Sequence, residues 1–285
     1  MTMDTAPRTD DAPATPGAAP PADACGAAPV TLPSPRRMRA EVWIVLGLSL
    51  GQTAVYAAIR LIERYVDTTP ISGQTTTLNP SRSSIDWIDL IRQLLSIGFA
   101  LVPVALALYL LSQHGASWRA RLGLVGPARI WWRDMGWGVI LAACIGLPGL
   151  ALYAISRALG QTVTVDTSGL PDMWWSATIL LLSAAAAGVL EEFVVVGFVL
   201  TRLRDLGRSP WTAIVLAALL RGAYHLYQGW PMALGNVVMG LVFGYVYVRR
   251  GRLAPLVLAH WTLDAVAFIG PEVVPHEWLV SLGVA

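Results

Sequence analysis

The sequence predicts an all-α membrane protein, a polytopic transmembrane helical bundle of about seven spanning helices with the N-terminus in and the C-terminus out. Three observations predict it. The chain has 285 residues, 55% of them hydrophobic and only 13% charged, which is too apolar for an ordinary soluble domain. The apolar residues fall into runs of about 20, the length that crosses a hydrocarbon core. The basic residues are all Arg, and most of the 20 gather in alternate connections between those runs. Positive charge collects on the cytoplasmic side, so this asymmetry sets the orientation.

Taken in order, residues 1–35 are rich in Pro and Ala and hold few large apolar side chains. Such a segment cannot bury enough surface to offset its ordering entropy, and a disordered cytoplasmic tail is expected. Residues 36–285 are read as one transmembrane domain. Arg36, Arg37 and Arg39 precede a first helix over about Glu41–Ile62. That run is too long for a signal peptide and lacks a convincing cleavage site. A polar loop with Pro70, Gly73 and Pro80 leads to a second helix, about Asp86–Ser112. Arg119, Arg121, Arg129 and Arg133, with the interfacial pair Trp131-Trp132, connect it to a third, about Asp134–Ser156. Trp174-Trp175 mark the return to the membrane, and the fourth helix ends near Thr201, before Arg202, Arg204 and Arg208. Pro210 suits the first turn of a fifth helix, about Trp211–Gln228. Gly229-Trp230-Pro231 make a turn into the sixth, about Met232–Val248, whose Gly240 and Gly244 are spaced for close helix contact. Arg249, Arg250 and Arg252 precede the seventh, about Leu253–Ile269. No internal repeat emerges, which weighs against a transporter built from inverted halves. Cys25 and Cys144 form no CxxC pair, so neither a disulfide framework nor a cysteine metal site is indicated.

Charge inside these runs is the chemical signal. Glu191 and Glu192 are adjacent within the fourth apolar run, Arg221 and His225 lie in the fifth, and His260 and Asp264 in the seventh. A carboxylate near a bilayer centre costs roughly 2.5–3.5 kcal/mol on insertion scales. Each charge alone could be a pairing that holds helices together. At about 1.5 Å rise per residue, however, the three helices offer these groups at comparable depth. The four-residue spacings also put Arg221 with His225, and His260 with Asp264, on one face each. A shared site is expected, with Glu191, Glu192, His225 and His260 lining a cavity that opens toward the cytoplasmic half.

The run Glu191-Glu192-Phe193-Val194-Val195-Val196-Gly197, then a His deep in the next helix, then His260-Trp261-Thr262-Leu263-Asp264, resembles the CPBP family. These are the CAAX-prenyl-protease type II and bacteriocin-processing intramembrane proteases, also called Abi proteins. The family pattern is EExxxR, FxxxH and HxxxN or HxxxD, and the resemblance covers about residues 174–270. It implies catalytic roles for Glu191, Glu192, His225, His260 and Asp264. Two positions depart from it: the motif Arg is Val196 here, and the motif Phe is Arg221. An unpaired buried carboxylate protonates or finds a cation. Arg221 is therefore read as the supporting charge that replaces the absent Arg.

The resemblance implies hydrolysis of a peptide bond in a membrane-associated protein or peptide, with water activated by Glu191. His225, His260 and Asp264 would give zinc or another divalent metal three protein ligands and one open position. A metal-free glutamate mechanism is the other form of the same reading. The expected setting is the lipid bilayer of a bacterial cell membrane. Nothing points to nucleic acid. Two other classes stay open: a non-catalytic relative acting as an immunity or scaffold protein, and a proton-coupled transporter, since Glu, His and Arg chains also relay protons.

Overall fold

The computed structural model describes residues 32–113, 117–166, 169–275 and 277. The tail expected to be disordered lies outside the described residues as far as residue 31. The chain is already helical from Pro35.

The first expected helix is two, α1 (Pro35–Gly47) and α2 (Leu50–Val66), bent by 52° at the break. Ser49 at the break accepts no regular helical dihedrals (φ −147°, ψ −125°). Glycines flank it at 47 and 51, and Gly/Ser pairs are common places for a helix to kink. α3 (Asp86–Ala100) and α4 (Val102–Leu111) follow almost collinearly as one span. A short α5 (Trp118–Arg121) leads to the long α6 (Ala128–Ala158). α7 (Ser176–Glu191) runs without a break through a π-helical segment, Glu192–Leu200, into α8 (Thr201–Asp205). α9 (Pro210–Tyr224) ends in a 3-10 turn, Leu226–Gln228, before α10 (Trp230–Arg250) and α11 (Ala254–Val273). Ser209 caps α9, its hydroxyl accepting from the Thr212 N–H at 3.1 Å, with Pro210 in the first turn.

Among the described residues five helices are long and apolar enough to cross a membrane, and six if the bent α1–α2 pair is one span. The remaining expected span, the fifth, is α9; it has 15 residues, a length of about 22 Å that falls short of a hydrocarbon core about 30 Å thick. The chain is an integral membrane protein by these helices and by its apolar exterior, where Ile59, Phe99, Leu147, Leu150 and Val266 lie exposed. The α7–α8 span is the central one: half of its apolar window is buried inside the protein, against 17% for α3–α4 and for α6. Val194 to Leu200 sit in the middle of the core, packed against residues of α4, α9, α10 and α11.

The connections segregate to two ends. At one end lie the Arg-rich segments. Arg202 Nη2 binds Glu41 Oε2 at 2.8 Å and the Leu110 carbonyl at 2.9 Å, Arg121 Nη2 binds Asp205 Oδ2 at 2.6 Å, and Arg252 Nε binds Asp134 Oδ2 at 2.7 Å. Gly251 closes α10 in the left-handed conformation (φ 65°), and its carbonyl lies where a Cβ on Gly123 would stand. Glycine at 123 allows the two loops to pass this closely, and glycine at 251 allows the left-handed turn. At the other end, strand β1 (Thr75–Thr77) pairs in parallel with β2 (Thr164–Asp166), Thr75 opposite Thr164, and Thr162 Oγ1 donates to the Gln228 carbonyl at 2.5 Å. The helices run between these two ends alternately. We propose seven crossings with N-in and C-out on that basis. Reporter fusions should place residue 32 in the cytoplasm and residue 275 outside; a cytoplasmic C-terminus would remove one crossing, with α9 the first suspect.

The close contact expected of Gly240 and Gly244 is made between α9 and α10. A Cβ on Gly240 would stand 2.8 Å from the Ala218 Cα, and one on Gly244 3.0 Å from Ile214 Cγ2. Backbone cannot yield as a side chain can. Gly240→Val is expected to lower stability by about 1–3 kcal/mol, the usual cost of overpacking, read as a drop in thermal midpoint in detergent.

Candidate active site

Three helices bring the polar groups together near the middle of the bundle. Glu191 is the last residue of α7 and Glu192 the first of the π-helical segment. Arg221 and Tyr224 stand on the last turn of α9, and His260 and Asp264 on α11. Gly188, one turn before Glu192, permits the approach of α11: a Cβ there would lie 3.1 Å from the Trp261 N and 3.5 Å from the His260 Cβ.

Glu192 is the hub. It is fully buried, as is Arg221, and Arg221 Nη2 pairs with its Oε1. The same Oε1 accepts from His260 Nδ1 at 2.8 Å. Arg221, the cation expected to replace the arginine absent at Val196, thus reaches Glu192 from the neighbouring helix. Val196 itself is buried in the apolar core. The rest of the guanidinium is seated by Met239 Sδ, 3.6 Å from Nη1, and by the Phe243 ring, 5.5 Å from Cζ to centroid. Sulfur and an aromatic face both suit a desolvated guanidinium.

Glu191 is differently placed. Its side chain keeps 12% of its exposure, where that of Glu192 keeps none. Tyr224 donates its hydroxyl to Oε2 at 2.7 Å. Arg221 Nη1 and His260 Nε2 each stand 3.8 Å from the same oxygen, beyond hydrogen-bond length but within strong Coulomb range. His260 Nε2 also faces Asp264 Oδ2 at 3.5 Å. With Nδ1 donating to Glu192, this imidazole is oriented so that Nε2 points toward both remaining carboxylates.

His225 departs from the expectation of a residue deep within the fifth helix. It is the C-terminal cap of α9 (φ −100°, ψ 2°), where the helix tightens into the 3-10 turn. Its Nδ1 meets the Arg221 carbonyl at 3.1 Å, and its ring lies against Tyr224 and Tyr227, with centroids 4.8 and 6.3 Å away. If Nδ1 carries the proton to that carbonyl, Nε2 is the acceptor nitrogen. The structure therefore brings Glu191, Glu192, Arg221, His260 and Asp264 into one connected cluster, with His225 at its edge.

Among the described residues no three His, Cys, Asp or Glu side chains are grouped so as to hold a metal ion. Of the ligand set expected from the sequence, His225 sits at the helix cap against the Arg221 carbonyl, and His260 is engaged by Glu192 and faces Asp264. A groove of about 390 Å³ lies beside the cluster and is lined by Tyr227 and by Thr53, Tyr56, Ala57, Ile59, Arg60 and Glu63 of α2. It lies at the strand-bearing end of the bundle, away from the Arg-rich end.

Two features were missed from sequence. Tyr224, an aromatic in an apolar run, reads as core; its spacing of three from Arg221 on the same helix face was the available signal. The π-helical segment has no marker in its residues. Such segments are rare and often stand at functional sites, and this one starts at Glu192.

Residues 173–266 match the family model described as type II CAAX prenyl endopeptidase Rce1-like. Comparison with curated proteins and with solved structures finds no match. The matched segment, about a third of the chain, carries every candidate site residue, and over it the chain is similar to the CAAX protease family that its motifs resemble.

Proposed function

We propose that the chain is an intramembrane endopeptidase of the CAAX type, hydrolysing a peptide bond in a membrane-associated protein or peptide. One observation carries the reading: two consecutive glutamates are held for different work. Glu192 is buried and neutralised by Arg221 and His260. Glu191 is partly open and takes its one direct hydrogen bond from Tyr224. A carboxylate with a free oxygen in a low-dielectric site is suited to take a proton from water.

In this mechanism Glu191 accepts a proton from a water molecule as its oxygen bonds to the carbonyl carbon of the scissile peptide. The tetrahedral intermediate then breaks its C–N bond, and the proton held on Glu191 passes to the leaving nitrogen. Arg221 and the Tyr224 hydroxyl keep the carboxylate oriented, and His260, held between Glu192 and Asp264, presents Nε2 to the same space. His225 offers Nε2 to the water or the oxyanion. The glutamate form of the reaction is favoured over the metal form because His260 and Glu192 are committed to each other, and Glu192 to Arg221.

The test uses the full chain in lipid nanodiscs with a membrane-anchored peptide reporter in water enriched in oxygen-18. One labelled oxygen in the new carboxylate is expected, and no cleavage across a panel of anchored peptides would overturn the proposal. A chelator is expected to leave the rate unchanged. Loss of activity restored by zinc would overturn the metal-free form while keeping the peptidase.

A further inference from the structure

The protons held by the cluster leave one chemical requirement unmet. A tetrahedral intermediate gathers negative charge on one oxygen, which needs hydrogen-bond donors aimed at it. Tyr224 gives its hydroxyl proton to Glu191 Oε2. Arg221 is enclosed and paired with Glu192. His260 donates from Nδ1 to Glu192, and its Nε2 faces the carboxylates of Glu191 and Asp264, which claim any proton there. When neutral His225 donates from Nδ1 to the Arg221 carbonyl, its Nε2 accepts from water and has no proton to give. An ionised Asp264 is an acceptor only.

Tyr227 has the missing proton. It stands on the 3-10 turn two residues after His225, and its ring stacks on the imidazole, with 24° between the planes. Gln228 Nε2 donates to its hydroxyl oxygen at 2.9 Å. That bond uses a lone pair and leaves the O–H proton without an acceptor among the described residues. A hydroxyl that accepts one bond is polarised and becomes a better donor of the next. The side chain is half-buried and lines the groove of about 390 Å³, within electrostatic reach of Glu191 and Asp264. It therefore meets the charged cluster on one side and open space on the other.

Resting on the peptidase reading, we infer that Tyr227 is a further catalytic residue, its hydroxyl donating a hydrogen bond to the oxyanion of the tetrahedral intermediate. The proton stays on the tyrosine throughout. As the water oxygen bonds to the carbonyl carbon, charge moves onto the carbonyl oxygen and the hydrogen bond from Tyr227 tightens. When the C–N bond breaks, the carbonyl re-forms and the hydrogen bond relaxes. An interaction that is stronger in the transition state than with bound substrate accelerates the reaction and leaves substrate affinity nearly unchanged.

The test compares full-length wild type and Tyr227→Phe in nanodiscs on the membrane-anchored peptide reporter. Phenylalanine keeps the ring against His225 and deletes only the hydroxyl, so the thermal midpoint should hold. The value of kcat is expected to fall about 100- to 1,000-fold, the usual cost of removing one oxyanion donor, with KM little changed. A second readout uses a phosphinate analogue of the reporter, which places a tetrahedral anion where the scissile carbonyl stands. Tyr227→Phe should bind this analogue more weakly by about the same factor. The uncleaved reporter should bind Glu191→Gln protein equally with and without Tyr227→Phe. A raised KM at unchanged kcat, with analogue and reporter weakened alike, overturns the donor and makes Tyr227 a packing residue. Near-normal cleavage by Tyr227→Phe, beside a wild type that cleaves, overturns the donor and leaves the peptidase standing. A wild type that cleaves no anchored peptide sinks the peptidase reading and the donor with it.

Discussion

Arg221→Met is expected to destabilise the protein by about 3–5 kcal/mol, the usual cost of leaving one partner of a buried ion pair alone. That is a large share of the 5–15 kcal/mol that a folded protein typically has. Glu192 is without solvent exposure, and its Oε2 makes no hydrogen bond, so Arg221 and His260 are its whole compensation, both on Oε1. Methionine fits among Met239 and Phe243, which separates loss of charge from loss of volume. Arg221→Met combined with Glu192→Gln removes both charges and should recover most of the stability. A double variant as unstable as the single one would show that the two residues are not coupled. Arg221→Ala combined with Val196→Arg asks whether the charge can come from its position in the family motif; stability recovered relative to Arg221→Ala alone is the expected result.

Glu191→Gln is expected to reduce hydrolysis at least ~100-fold, the lower range for a positioned acid or base. Glutamine keeps the shape and still accepts from the Tyr224 hydroxyl, which stands 2.7 Å from Oε2, so the thermal midpoint should change little. The contrast with Glu192 is the informative part. Glu192→Gln should lower stability as well as activity, because Arg221 is then the buried unpaired charge. Near-normal cleavage by Glu191→Gln would remove the proposed base, and equal stability losses in the two variants would remove the division of labour between the carboxylates.

The helices and the polar cluster were legible for one reason: hydrocarbon tolerates neither short apolar runs nor idle charges, so run length marks the spans and each internal charge marks a partner. Arg221 could be assigned to Glu192 because Val196 left that carboxylate without a cation. What escaped depends on three-dimensional detail that composition does not carry. The bend at Ser49 falls within one run of spanning length, where Gly47, Ser49 and Gly51 permit a kink without requiring one. α9 stops at Tyr224, four residues before the expected end, because the backbone tightens into a 3-10 turn ahead of Gly229. The three-residue strands are too short to show an alternating pattern. Asp264 sits on His260 as its spacing predicts, while His225, one turn from Arg221, caps its helix instead of lying within it.

The buried contact between Glu41 and Arg202 joins residues 161 positions apart. At a synthesis rate of about 5–20 residues per second, Glu41 emerges roughly 8–32 s before its partner exists. During that interval α1 carries a carboxylate destined for the protein interior with nothing yet there to receive it. Arg37, one turn earlier, lies 2.9 Å from Glu41 Oε1 and is made at almost the same moment. It can therefore hold the charge at the membrane surface until α8 arrives, when Arg202 takes the other oxygen and α1 is drawn into the bundle.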